Sequence, residues 1–257
     1  MIMRDSWIYY RDLLSELTKK EIKVRYKNSY LGYLWSIANP LFLALIFYFV
    51  FKVVTKVQME KYTLYLISGL FIWQWISNSI MIGSNLYISN SSLIKKVNFP
   101  RNFLAISLTV SEGFNFLLSI PVIIFFMLIY NEYPSWNWLI FIPILLAISF
   151  LFIYSLTLLV ATINLFFRDM ERLVGLLLTF LFYLTPIIYP ISMVPDKYRV
   201  LLYLDPFAPL VVSWQTLFLH SQLNIKFFVI STSYGLFFLF LSTYIYNKLK
   251  YKFAELV

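Results

Sequence analysis

Long apolar runs separated by short polar breaks cover most of the chain. A helix rising about 1.5 Å per residue needs about 20 residues to cross a hydrocarbon core of roughly 30 Å, and six runs are of that order: Leu31 to Val54, Tyr62 to Ser89, Phe103 to Tyr130, Trp138 to Phe167, Leu173 to Tyr189 and Phe227 to Asn247. The pattern predicts an all-α integral membrane protein with six transmembrane helices. Ahead of the first run, Tyr10, Leu13, Leu14 and Leu17 recur at helical spacing beside Lys19, Lys20, Lys23 and Lys27. This is the signature of an amphipathic helix lying at the membrane surface. Thr18 and Glu21 fit a capping box, which predicts a fresh helix start near Lys19. Within the first span, Asn39 and Pro40 predict a bend, because proline removes a backbone donor.

The stretch from Pro190 to Lys226 breaks the pattern of tight connections. It holds Pro190, Pro195, Pro206 and Pro209 around two apolar pieces, Tyr198 to Leu204 and Leu210 to Leu219, each too short to span. Such pieces predict re-entrant or interfacial helices, tolerated at membrane depth only where protein or a water-filled cavity satisfies their backbone.

Charge gives the spans a direction. With six crossings both termini share a side, and that side collects 15 of the 21 Lys and Arg; only Lys52, Lys56, Lys61, Lys197, Arg199 and Lys226 fall opposite. Because Lys and Arg accumulate on the cytoplasmic side, both termini are expected there. Attraction of these residues to anionic lipid accounts for the net charge of +9 without invoking nucleic acid. About thirty charged and mixed residues precede the first apolar run, so no secretory leader is expected.

Composition removes several kinds of chemistry. There is no cysteine, and the single histidine, His220, excludes a two-histidine metal site. The six glycines form no phosphate-binding loop, so no ATPase site belongs to this chain. Catalytic, metal and cofactor assignments are therefore none.

Four groups of residues could carry function. Glu112 is the one acid well inside a predicted span, sharing a face with Thr109, Asn115 and Ser119; it is either a gate or lumen contact or a hydrogen-bonded packing residue. Asp205, in the external stretch, has Lys197 and Arg199 within sequence reach. Aromatic residues reach 21%: Trp35, Phe42 and Phe49 repeat every seven positions, and Phe180 and Tyr183 share a face. Aromatic faces suit the wall of a passage for sugars, although lipid-facing phenylalanine is the common alternative. The loop from Asn90 to Asn102 is short, basic and amphipathic: Leu93, Ile94, Val97 and Phe99 are available to enter a groove, while Lys95, Lys96 and Arg101 would steer an acidic surface, with Asn98 and Pro100 between them.

Three motifs resemble one family. The segment "EIKVRYKNSYLGYLWSIANPL", with Glu21, Arg25, Tyr26, Ser29, Leu31, Gly32, Trp35 and Pro40, resembles the opening of polysaccharide-exporting ABC-2 type permeases, and "FFRDMERL" and "LFYLTPIIYPISMVP" continue the likeness. It is most like the membrane subunit of O-antigen exporters, with capsule and teichoic-acid permeases as near relatives. One departure is Asp205 before Pro206, where the family pattern has asparagine. The resemblance implies a homodimer of six-span subunits, two copies of a separate nucleotide-binding ATPase subunit that carries the ATP and Mg, and export of undecaprenyl-diphosphate-linked glycan from the cytoplasmic face of the bacterial inner membrane. It makes Leu93 to Arg101 the coupling helix to the ATPase. Lys19, Lys20, Glu21, Lys23 and Arg25 fall in the interface helix, and residues 190–226 form the external gate.

The chain is thus expected to be a single transmembrane domain: interface helix 1–30, spans one to five 31–189, gate 190–226, sixth span 227–247 and a cytoplasmic tail 248–257. Its partners would be the ATPase, a second copy, lipid-linked polysaccharide and the membrane. A reading from another class, a membrane-embedded lipid-linked sugar transferase, needs a convergent set of acids, bases or metal ligands. This chain offers one histidine and scattered carboxylates.

Overall fold

The computed structural model describes residues 2–26, 30, 32, 34–54, 56 and 59–253. Lys27, Ser29, Leu31 and the last four residues of the tail lie outside the described residues. Every regular element among those described is helical: α1 (Ile2–Tyr26), α2 (Leu34–Tyr48, continued by a π-helical segment Phe49–Val54), α3 (Tyr62–Ser84), α4 (Leu86–Ser89), α5 (Ser91–Lys96), α6 (Asn102–Ile129), α7 (Trp138–Asn164), α8 (Met170–Leu184), α9 (Leu201–Leu204), α10 (Ala208–His220) and α11 (Ile225–Leu249). Five helical stretches, 34–54, 62–84, 102–129, 138–164 and 225–252, are long and apolar enough to cross a bilayer, and the chain is a multi-pass membrane protein.

The bundle has two ends that side-chain contacts define. At the basal end, Leu17 of α1, Tyr87, Ile94, Phe99, Leu104, Leu165, Tyr246 and Phe253 share one buried cluster. At the distal end, Trp138 Nε1 donates to Ser221 Oγ at 3.2 Å, and Lys61 pairs with Glu132. Helices α7 and α11 therefore run the same way, packed closely where Gly235 meets Leu151 and Phe152. Small polar residues line the helix contacts: Ser107, Thr109, Ser155 and Thr162 return their hydroxyls to the carbonyl one turn back. This lets helices approach closely while these four hydroxyls stay satisfied.

The fifth expected span differs from a plain helix. α8 has 15 residues, about 22 Å of helix at the usual rise. Glu171 N–H donates to Asn164 Oδ1 at the basal end. At the other end the chain leaves helical geometry after Leu184 and is held by Tyr62 and Tyr65, in the first turn of α3: Tyr62 Oη donates to Ile188 O at 2.8 Å, and Tyr65 Oη lies 2.5 Å from Pro186 O and 2.7 Å from Tyr189 O. Residues 170–189 thus connect the same two ends as α3, with the final stretch non-helical because Pro186 and Pro190 interrupt the ladder and tyrosine hydroxyls satisfy its carbonyls. Leu17 of α1 and Phe253, the last described residue, both belong to the basal cluster.

The stretch between α8 and α11 is re-entrant. Residues 196–204 and α10 are two arms bent by 105° about Asp205–Pro206. Phe207 sits edge-on to Trp73 of α3 and Phe152 of α7, each about 16–21 Å from the distal end of its helix at the usual rise. α10 then climbs back to His220 and Ser221.

One local expectation is corrected. α1 is unbroken through Thr18 and Glu21; its backbone donors are already used within the helix, so no capping box forms, and Thr18 Oγ1 makes no hydrogen bond. α2 continues as helix through Pro40, and an irregular segment follows it at Phe49–Val54.

Candidate functional site

A groove of about 570 Å³ opens between α2, α3 and α8. α3 contributes a polar stripe at helical spacing, Gln74, Ser77 and Asn78, flanked by Trp73 and Met81. α2 adds Asn39 and Phe47, and α8 adds Thr179, Phe182 and Tyr183. Phe182 is the organising ring, 5.8 Å from both Phe47 and Trp73 and 5.2 Å from Tyr183. The wall therefore alternates aromatic faces with amide and hydroxyl groups. Such a surface accepts a ligand that presents both apolar C–H faces and hydroxyls.

The aromatics expected from sequence divide around this groove. Tyr183 borders it. Trp35, Phe42, Phe49 and Phe180 are exposed on the outside of the bundle. The seven-residue repeat does place Trp35, Phe42 and Phe49 on one face of α2, but Asn39, Pro40, Leu43 and Phe47 form the face that meets the groove. Sequence reasoning missed the polar stripe of α3. Its signal was present: amides and a hydroxyl at positions 74, 77 and 78 of an otherwise apolar helix.

Below the groove, Asn78 Nδ2 donates to Glu112 Oε2 at 3.2 Å, and Arg25 of α1 forms an ion pair with the other oxygen of that carboxylate. Glu112 is 2% exposed. Glu112 is a paired, hydrogen-bonded interior residue next to the groove-lining Asn78. α1 reaches it by running alongside α6, with Tyr10 stacked on Phe103 near one end and Arg25 on Glu112 at the other. The amphipathic helix thus rises along the bundle instead of lying wholly on its surface.

The other basic residues of α1 take different partners. Lys20 reaches Asn90, just ahead of α5, and Glu21. Lys19 pairs with Glu16 at 2.8 Å on the solvent side, and Lys23 is exposed.

In the basal loop, α5 and the segment after it split into an inner and an outer set. Ile94 and Phe99 are buried in the basal cluster, with Leu93 against it. Lys95, Lys96, Val97 and Asn98 are exposed. Arg101 turns inward, its Nη1 donating to Lys250 O at 2.7 Å, and Pro100 is half-buried. The expected apolar set for a partner's groove is thereby reduced to Val97, because Ile94 and Phe99 are consumed in seating the loop on α1, α6, α7 and α11.

Asp205 sits at the tip of the re-entrant hairpin, 3% exposed. Thr185 Oγ1 donates to its Oδ2 at 2.7 Å, and Phe207 N–H donates to its Oδ1 at 2.9 Å. Lys197 and Arg199 do not pair with it: Arg199 bridges to Asp196 at 2.6 Å, and Lys197 lies over Tyr198. Among the described residues no cluster of His, Cys, Asp or Glu could hold a metal ion.

Comparison with known proteins agrees with this architecture. The family model for ABC-2 type transporters matches residues 12–219. An "O-antigen export system permease protein RfbA" of Klebsiella pneumoniae is 44% identical over 249 residues, 97% of this chain and 96% of its own. A second Klebsiella pneumoniae protein of that name is 43% identical over the same span, and one from Myxococcus xanthus is 34% identical over 83% of each chain.

Proposed function

The chain belongs to the ABC-2 type transporter family, and from that premise we propose that it is the permease subunit of an O-antigen exporter. It would work as a homodimer with two copies of an ATPase subunit, moving an undecaprenyl-diphosphate-linked polysaccharide outward across the bacterial inner membrane. The basal end is then cytoplasmic, as are both termini, and ATP and Mg act on the partner alone. The whole chain forms one transmembrane domain, with residues 190–226 as its external gate.

The observation that carries this reading is the groove. Its aromatic rings and its amide and hydroxyl groups offer a polysaccharide stacking surfaces and exchangeable hydrogen bonds. A wall of that kind holds each sugar weakly, which suits a polymer that must keep moving.

Coupling follows from how the basal loop is seated. The partner would dock on Lys95, Lys96, Val97 and Asn98. A push there reaches Ile94 and Phe99, whose cluster joins α1, α6, α7 and α11 as one packed body. The contact of Lys20 with Asn90 and the ion pair of Arg25 with Glu112 carry the same displacement along α1 to the residue beneath the groove. A close-packed set of this kind moves by rigid-body shift and does not deform gradually.

The reading is tested in cells that lack this chain. Surface polysaccharide should disappear, and lipid-linked glycan should accumulate inside until the wild-type chain is restored. Undiminished surface glycan in the deletion strain would overturn it.

A further inference from the structure

A second cavity, of about 460 Å³, opens at the basal end between the segment leading into α6 and the last turn of α11. Asn98, Asn102 and Asn247 contribute amides to its wall, Tyr251 a phenol, and Arg101 and Lys250 positive charge. Among the described residues no carboxylate lines it. Among the described residues neither cation is paired with an acid.

Both cations are held in place. The Arg101 guanidinium lies over the ring of Phe253 at 5.7 Å while its Nη1 donates to Lys250 O. Lys250 Nζ donates to Asn247 Oδ1 at 3.0 Å and lies 5.4 Å from the centre of the Tyr251 ring. Two fixed positive charges facing one polar cavity repel each other until an anion enters between them. The amides around them are donors as well, which matches a group with several acceptor oxygens.

The depth of the cavity narrows the class of anion. It lies at the first turn of α6 and the last turn of α11, where two membrane-crossing helices end. That is the level of lipid headgroups, and lysine and tyrosine residues at such a boundary are the usual contacts for anionic lipid. We propose that this cavity binds the phosphate of an anionic phospholipid, which then clamps the segment Asn98–Asn102 to the end of α11. Lipid charge would thereby set how firmly the coupling loop is fixed to the bundle.

The test uses the purified protein in its native complex, with phosphatidylglycerol or phosphatidylcholine added and bound lipid counted by native mass spectrometry. Lys250→Gln removes one cation yet leaves the backbone carbonyl that Arg101 uses, and Asn247→Asp adds a repelling charge. Lys248→Gln serves as control, since Lys248 is exposed outside the cavity. The wild type should retain phosphatidylglycerol in preference to phosphatidylcholine. Lys250→Gln should weaken that retention about fivefold, the worth of one basic residue near an anionic surface, and Asn247→Asp by at least as much, with unchanged melting temperature without added lipid. Equal retention of both lipids, or equal losses in Lys250→Gln and Lys248→Gln, would overturn the site. Inorganic phosphate stabilising the wild type as well as phosphatidylglycerol does would overturn its assignment to lipid.

Discussion

Arg25, in the last turn of α1, is ion-paired with Glu112, ten residues into α6 and buried beneath the groove. The pair joins α1 to a carboxylate whose burial alone would cost several kcal/mol. Each partner therefore fixes the other: Glu112 holds the last turn of α1 against α6, and Arg25 holds the carboxylate where Asn78 also bonds it.

Removing one partner should harm more than removing both charges. Arg25→Gln leaves a buried carboxylate with Asn78 as its one side-chain partner among the described residues, and a loss of about 3 kcal/mol is expected. In the double variant Arg25→Gln with Glu112→Gln no bare charge remains, and most of that loss should be regained. Melting curves of the three variants in detergent check this, and equal destabilisation of the single and double variants would contradict the pair's role.

If the ATPase docks on the basal loop as proposed, docking and folding rest on different residues there. Lys95→Glu with Lys96→Glu reverses charge on an exposed surface, so the melting temperature should hold while co-purification with the ATPase falls at least tenfold. Phe99→Ala empties a buried site in the cluster shared by α1, α4, α5, α6, α7 and α11, and a loss of about 3–5 kcal/mol is expected. Pull-down yield and melting temperature, measured side by side, should move in opposite variants.

How far the sequence spoke depends on the kind of information involved. Spans one to four and six were legible from run length alone, because lipid leaves no other way to satisfy the backbone. The re-entrant hairpin was legible too, from Pro206 and Pro209 between short apolar pieces. α8 was less so: the run from Leu173 to Tyr189 is apolar throughout, but its last part is non-helical and depends on Tyr62 and Tyr65, distant in sequence. The pairing of Arg25 with Glu112 needs the register of α1 on α6, which hydropathy does not encode. The inward turn of Ile94 and Phe99 was hidden because a short amphipathic loop shows which residues are apolar, not whether its own protein or a partner covers them.

Asp205 ties the hairpin tip to the end of α8. Asp205→Asn keeps an acceptor for Thr185 or for Phe207 N–H and should cost little. Asp205→Ala loses both contacts, with an expected cost of about 1–2 kcal/mol. Hydrogen exchange should rise in the first turn of α10 and around Thr185 together in the alanine variant. A rise in α10 alone would mean that the two elements are not linked through this carboxylate.

The groove makes a prediction that separates its walls from the outer aromatic face. If glycan passes along α3 and α8, the residues that matter are Gln74, Phe182 and Tyr183, and Tyr183→Ala should slow export by about two- to tenfold, the range for losing one aromatic contact. Gln74→Leu should act similarly, since it replaces an exchangeable hydrogen bond by an apolar patch of nearly the same volume. Phe42→Ala and Phe180→Ala alter side chains that face away from the groove, so they should leave the rate close to wild type. Pulse-chase labelling of surface polysaccharide, normalised to the amount of protein in the membrane, measures all four. The opposite ranking would move the passage to the outer face of α2 and α8, where the seven-residue repeat of Trp35, Phe42 and Phe49 lies. In that case the groove would serve only to pack α8 against α3.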